Sequence, residues 1–155
     1  MFHVRIIAVG KNKDHWVDDA IAHYSTLLKK YASVELICTA DVKKTKNIPE
    51  TEVMKREAPL IRTCLGATFT IALTEKGRSM DSRTLAKELN TLMQKHGGCD
   101  IIIGGAYGLD KTLLAECDDR LSLSPLTMSH QLVRPVLMEQ LYRAFSILAG
   151  GKYHK

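Results

Sequence analysis

The sequence predicts an α/β domain with a parallel sheet covered by helices on both faces. Strand-like runs at residues 4–10, 34–39, 69–73, 99–103 and 120–123 alternate with segments whose apolar residues recur every three or four positions. The run Ile101-Ile102-Ile103 does not alternate with polar residues, which is the pattern of a strand buried on both faces. A chain of 155 residues, 45% apolar and 25% charged, supplies one core and is too short to predict two, so residues 1–155 are read as one domain.

Each element has a local cause. The first strand ends at Gly10, and Asp14 stands as N-cap of a helix on which Trp16, Ala20, Ile21, Tyr24, Leu27, Leu28 and Tyr31 form a core stripe. The second strand runs into the basic, proline-terminated stretch 41–49, read as a loop. Residues 50–65 form a helix that Pro59 is expected to kink or split. After the third strand, residues 74–79 read as a loop, and Asp81 or Ser82 caps a helix ending near His96-Gly97-Gly98. Residues 109–117 make a short helix, and Pro135, in a first turn, opens the last helix, which runs to Ala149.

On that last helix Leu137, Leu141, Ala144, Phe145 and Leu148 form a core stripe, while Met138 and Tyr142 widen the apolar surface and predict a dimer seam. There is no internal repeat and no linker.

Charge and cysteine usage narrow the function. Lys and Arg number 22 against 17 Asp and Glu, a net charge of +5, which favours a polyanionic partner without identifying one. Cys38, Cys64, Cys99 and Cys117 lie far apart with no C-x-x-C pair, so they read as reduced, mostly buried thiols. The first residues enter a strand pattern with no leader, and no run approaches a membrane span; the expected compartment is the cytoplasm.

In a parallel sheet the ligand site lies beyond the carboxyl ends of the strands, here at Gly10-Lys11, Leu73-Thr74, Gly104-Gly105 and Ser124-Pro125. The Gly104-Gly105-Ala106-Tyr107-Gly108 turn is not a dinucleotide fingerprint, because Ile103 stands where the first glycine is required. A tight turn with no ligand accounts for it equally well. His130 and Arg134 stand near the start of the last helix, where amides favour an anion, although a lone loop histidine is more often structural. No second ligand stands at metal spacing. Glu139 and Arg143, four apart, suffice as an exposed ion pair. Arg143 and the tail Lys152-Tyr153-His154-Lys155 also combine cations with an aromatic face, which suits phosphate contact and base stacking, while a frayed terminus is the bland alternative.

Taken together, these segments resemble one family across essentially the whole chain. They are the opening Val-Arg-Ile-Ile-Ala-Val-Gly-Lys, the Ile-Gly-Gly-x-x-Gly-Leu turn at 103–109, Leu-Ser-Leu-Ser at 121–124, His130-Gln131-x-x-Arg134, Glu139 to Ala144, and the closing Tyr153-His154-Lys155. The family is that of the SPOUT-superfamily methyltransferases acting on N3 of a pseudouridine in large-subunit ribosomal RNA, position 1915 in the usual numbering. The resemblance implies a Rossmann-like sheet with a C-terminal deep trefoil knot, a homodimer, and the ribosome as partner; strand order alone would give an unknotted sheet.

The resemblance further implies that S-adenosylmethionine is held by Leu73, Thr74, Gly104, Gly105, Leu123, Ser124, Pro125, Leu126, Thr127 and Met128. It implies catalytic roles for Tyr153, His154 and Arg143, and RNA or pocket contacts for His130, Arg134, Lys152 and Lys155. In a dimer, the tail of one subunit is expected to reach the cofactor of the other. Ser129, Pro135 and Ala106-Tyr107 depart from the family's usual pattern. Two alternatives stay open: a transfer-RNA methyltransferase of the same superfamily, and a noncatalytic RNA-binding protein that binds RNA but no cofactor.

Overall fold

A computed structural model describes residues 1–66 and 69–155. Ten elements follow in order: β1 (His3–Val9), α1 (His15–Leu28), β2 (Ser33–Thr39), α2 (Glu50–Cys64), β3 (Thr70–Ser79), α3 (Ser82–Lys95), β4 (Gly98–Ile103), α4 (Lys111–Glu116), β5 (Asp119–Ser122) and α5 (Val133–Leu148). The strands form one parallel sheet in the order β2-β1-β4-β3-β5. The α/β class and the parallel sheet are thus as the sequence predicts.

The central strands are buried on both faces, which explains their unbroken apolar runs. Val4, Ile6 and Ala8 of β1 and Cys99, Ile101 and Ile103 of β4 pack against Leu28 and Ala32, α3 (Leu85, Ala86, Leu89) and α5 (Leu137, Met138, Leu141, Phe145). On the opposite face Ile7, Val9 and Ile102 meet Ala58 and Ile61 of α2 and Leu113 of α4. The side-chain period of two sends alternate residues of each strand into the two layers.

Several expectations are corrected. Residues 74–79 are not a loop: β3 continues to Ser79, with a register shift against β5 between Leu73 and Arg78. The guanidinium of Arg78 holds this charged extension in place, bonding Glu88 of α3 and Asp119 of β5. Trp16 is not core but 51% exposed. The inner face of α1 is set by Val17, Ile21, Tyr24 and Leu28, spaced four, three and four, and Trp16 lies about 100° from Val17 on the helix.

Pro59 neither splits nor ends α2, because both it and Lys55, whose carbonyl loses its helical donor, lie on the exposed side. Met138 and Tyr142 are buried within the protomer: α5 packs against both α1 and α3, so its wide apolar surface needs no second subunit. Leu148 falls outside that stripe and is exposed. Of the four free thiols Cys99 is buried and Cys38 is exposed.

Candidate functional site

A cleft of about 290 Å³ opens at the carboxyl ends of β4 and β5, beside the middle of β3 where its register against β5 shifts. Its wall takes Leu73, Thr74 and Glu75 from β3, the turn 103–108 after β4, and the loop after β5. Of the ten residues expected to hold a cofactor, nine line it: Leu73, Thr74, Gly104, Gly105, Leu123, Ser124, Leu126, Thr127 and Met128. Pro125 is exposed on the same loop and does not face the cleft.

The turn is tight for a physical reason. Gly105 and Gly108 form an antiparallel bridge, with the amide of Gly108 donating to the carbonyl of Gly105 at 3.1 Å. A Cβ on Gly104 would come within 2.6 Å of the Gly108 carbonyl carbon, so the backbones pass closely only because no side chain intervenes. Asp110 then caps α4, accepting from the amides of Thr112 and Leu113 at 3.0 and 3.4 Å.

The arrangement can bind a molecule that is partly apolar and partly polar. Leu73, Ile103, Leu123, Met128 and Val133 give apolar wall, while glycine backbone, Thr74, Ser124 and Thr127 give hydrogen-bonding groups. Leu126, 76% exposed, and Tyr107, 41% exposed, form an apolar rim. Lys44 from the loop after β2 stands 5.2 Å over the Tyr107 ring. Residues with the composition and openness of this cleft fit a nucleoside carrying an amino-acid-like arm.

His130 also lies on the cleft wall. Burial pushes its pKa down, and Arg134, Lys13 and Lys44 push the same way against Asp41, so the ring is neutral at pH 7 and serves as a hydrogen-bonding group rather than a cation.

Arg134 does not reach the surface, so of the two roles expected of it, holding RNA phosphate or shaping the pocket, the first is corrected. It is fully buried and donates to the carbonyls of Val9, Gly10 and His130 and to Oδ1 of Asn12, at 2.7–3.0 Å. Gln131 adds a second tie: its Oε1 accepts from the Lys13 amide and its Nε2 donates to the Lys11 carbonyl. These residues fasten the start of α5 to the end of β1 and thereby fix one side of the cleft. Sequence reasoning placed Arg134 in the site but did not find this latch, because three of its four oxygen partners are backbone carbonyls that leave no residue signature.

The tail forms a second cluster away from the cleft wall. The guanidinium of Arg143 stacks 4.7 Å over Tyr153, pairs with Glu139, and lies 3.4 Å from Nδ1 of His154. The Tyr153 hydroxyl donates to Glu139 at 3.0 Å, and its ring meets Tyr142 edge-on at 4.7 Å. Burial and the Glu139 carboxylate push the Tyr153 pKa up, so it remains a neutral phenol. The expected trio Tyr153, His154 and Arg143 is therefore brought together around Arg143, with Glu139 bonded to both Arg143 and Tyr153 rather than standing as an exposed helix partner. Lys152 and Lys155 are exposed on the tail.

A cleft beyond β4 and β5 of a five-stranded parallel sheet, with a tight glycine turn on its wall, sets the class to look for, and comparison with known proteins gives the family. Residues 2–154 match the family model described as predicted SPOUT methyltransferase, and the chain belongs to that family. Within it the chain belongs with the ribosomal RNA large subunit methyltransferase H proteins. It is 40% identical to the one from Lacticaseibacillus casei and 35% identical to the one from Leuconostoc citreum, each comparison covering 99% of both chains. Its fold is similar to that of a probable methylase family protein from Haemophilus influenzae, with a TM-score of 0.54 at 14% identity, covering 99% of this chain and 70% of that one.

Proposed function

We propose that this chain methylates N3 of a pseudouridine in large-subunit ribosomal RNA, using S-adenosylmethionine held in the cleft, and acts as a homodimer on the ribosome. The observation that carries the reading is the cleft itself, built from the segments that match the family, in a chain whose full-length relatives are named as ribosomal RNA methyltransferases. We extend it to the trefoil knot implied by the family likeness.

The cofactor supplies an activated methyl group. The protein's work is then to align the acceptor nitrogen with it and to ease loss of the imide proton. Leu73, Leu123 and Met128 hold the flat apolar part, and the backbone around Gly104 and Gly105 takes the polar arm. Tyr153 and His154 orient the target base, and Arg143, already bound to Glu139, sets the tail's shape. In the Arg143 contact Nδ1 of His154 is the acceptor, so the ring proton sits on Nε2 and that nitrogen offers a donor to the base. To take the imide proton, the ring must first release Arg143. We propose that the tail of one subunit serves the cleft of its partner; the lining of the cleft within one protomer, which includes none of residues 152–155, is in keeping with this.

The test is methyl transfer from labelled S-adenosylmethionine to ribosomes lacking the modification, with transfer RNA in parallel and the product nucleoside identified by mass spectrometry. N3-methylpseudouridine in large-subunit RNA is the expected product. Labelled transfer RNA would keep the fold and overturn the substrate; RNA binding without any labelling would overturn the enzyme reading.

A further inference from the structure

Glu57 is a buried acidic side chain that adjoins the site and that the proposed chemistry leaves unused. It lies on α2, only 3% exposed, and its Oε1 is buried with no hydrogen-bond partner. Its carboxylate abuts Gly105 of the cleft wall: a Cβ there would collide with both carboxylate oxygens, so the acid occupies the space that a side chain at 105 would fill. Only the thickness of a glycine therefore separates a desolvated carboxylate from the cleft.

The charged neighbours of Glu57 are Lys44 and Asp41, both from the loop after β2. They oppose each other in sign, and Lys44 is also engaged over Tyr107. Neither donates a hydrogen bond to Oε1. Glu50 and Glu75 also line the cleft but are exposed, where water weakens a charge roughly fourfold relative to a site near protein. Among the carboxylates around the cleft, Glu57 is thus the one whose field reaches a ligand least screened.

Resting on the reading that S-adenosylmethionine occupies this cleft, we propose that Glu57, acting across Gly105, makes the cleft prefer a cationic sulfonium ligand over the neutral thioether left after methyl transfer. The two ligands share their adenosine, ammonium and carboxylate groups and differ at sulfur by one methyl and one positive charge. A buried negative charge beside the wall favours the charged ligand and releases the neutral one, which gives the site a reason to exchange product for fresh cofactor.

Equilibrium binding of S-adenosylmethionine and of S-adenosylhomocysteine to the full chain without RNA tests this in the wild type, Glu57→Gln and Glu57→Asp. Glu57→Gln keeps shape and removes charge; S-adenosylmethionine should weaken about tenfold while S-adenosylhomocysteine changes less than about twofold, as expected for loss of one charge interaction at intermediate dielectric. Glu57→Asp, which keeps the charge, should retain most of the preference. Equal weakening of both ligands in Glu57→Gln would reduce Glu57 to a support of the turn and overturn the proposal. An unchanged ratio, or a Glu57→Asp ratio equal to that of Glu57→Gln, would overturn it too. A wild type that binds neither ligand would instead overturn the cofactor reading on which the proposal stands.

Discussion

Arg134 and Glu57 are both charged and both buried, yet their surroundings give them opposite consequences for stability. Arg134 has four oxygen partners, so Arg134→Met removes the cation and leaves buried carbonyls unpaired. Denaturant unfolding should register a loss of about 3–5 kcal/mol. Glu57 has a raised pKa, with desolvation the largest cause and Asp41 adding to it against Lys44. For an acid raised in the folded state, ionisation favours the unfolded chain, so wild-type stability falls as pH rises through that pKa. Glu57→Gln should therefore melt higher than wild type at pH above that raised pKa, and the gap should shrink toward zero as pH falls below the ordinary carboxylate value of 4.5. A site that keeps a destabilising acid is one where function and stability pull apart. The sequence alone revealed neither residue's environment: a guanidinium bound to carbonyls and a carboxylate behind a glycine depend on chain segments far apart, which local pattern does not encode.

The elements were legible where one period dominated. Both central strands follow directly from their apolar runs, and Asp81 caps α3 as expected, accepting from the Thr84 amide at 2.7 Å. Misreadings arose where tertiary contacts override composition. The charged stretch 74–79 extends β3 because Arg78 finds carboxylates on two other elements, and Pro59 is tolerated because its side of α2 faces water. Pro59 still deprives the Lys55 carbonyl of a donor, so Pro59→Ala should stabilise the protein by about 1–3 kcal/mol, read as a higher denaturant midpoint with an unchanged slope. Arg78→Ala should do the reverse most clearly near neutral pH. Arg78 holds the Asp119 pKa below its ordinary 3.8, so that contribution is present above this value and is lost as pH falls through the depressed one.

Across the whole molecule, the cofactor loops were read from the carboxyl ends of the strands and the family likeness together, and the cleft gathers all of them except Pro125. The dimer seam was misread, because the residues assigned to it are the packing between α5 and its flanking helices. If two subunits share each site, His154→Ala and a cleft variant such as Gly104→Leu, each inactive alone, should regain up to about a quarter of wild-type methyl transfer when unfolded and refolded together, from the mixed dimers that carry one intact site. His154→Ala by itself should lose transfer far more than cofactor binding. The latch from Arg134 to Val9 and Gly10 joins positions 124 and 125 residues apart. Loop closure on that scale is entropically slow, so this contact forms only after nearly all of the chain is available. During synthesis β1 waits for α5 through almost the entire length of translation, and the protein acquires its working cleft at the end of folding rather than piece by piece.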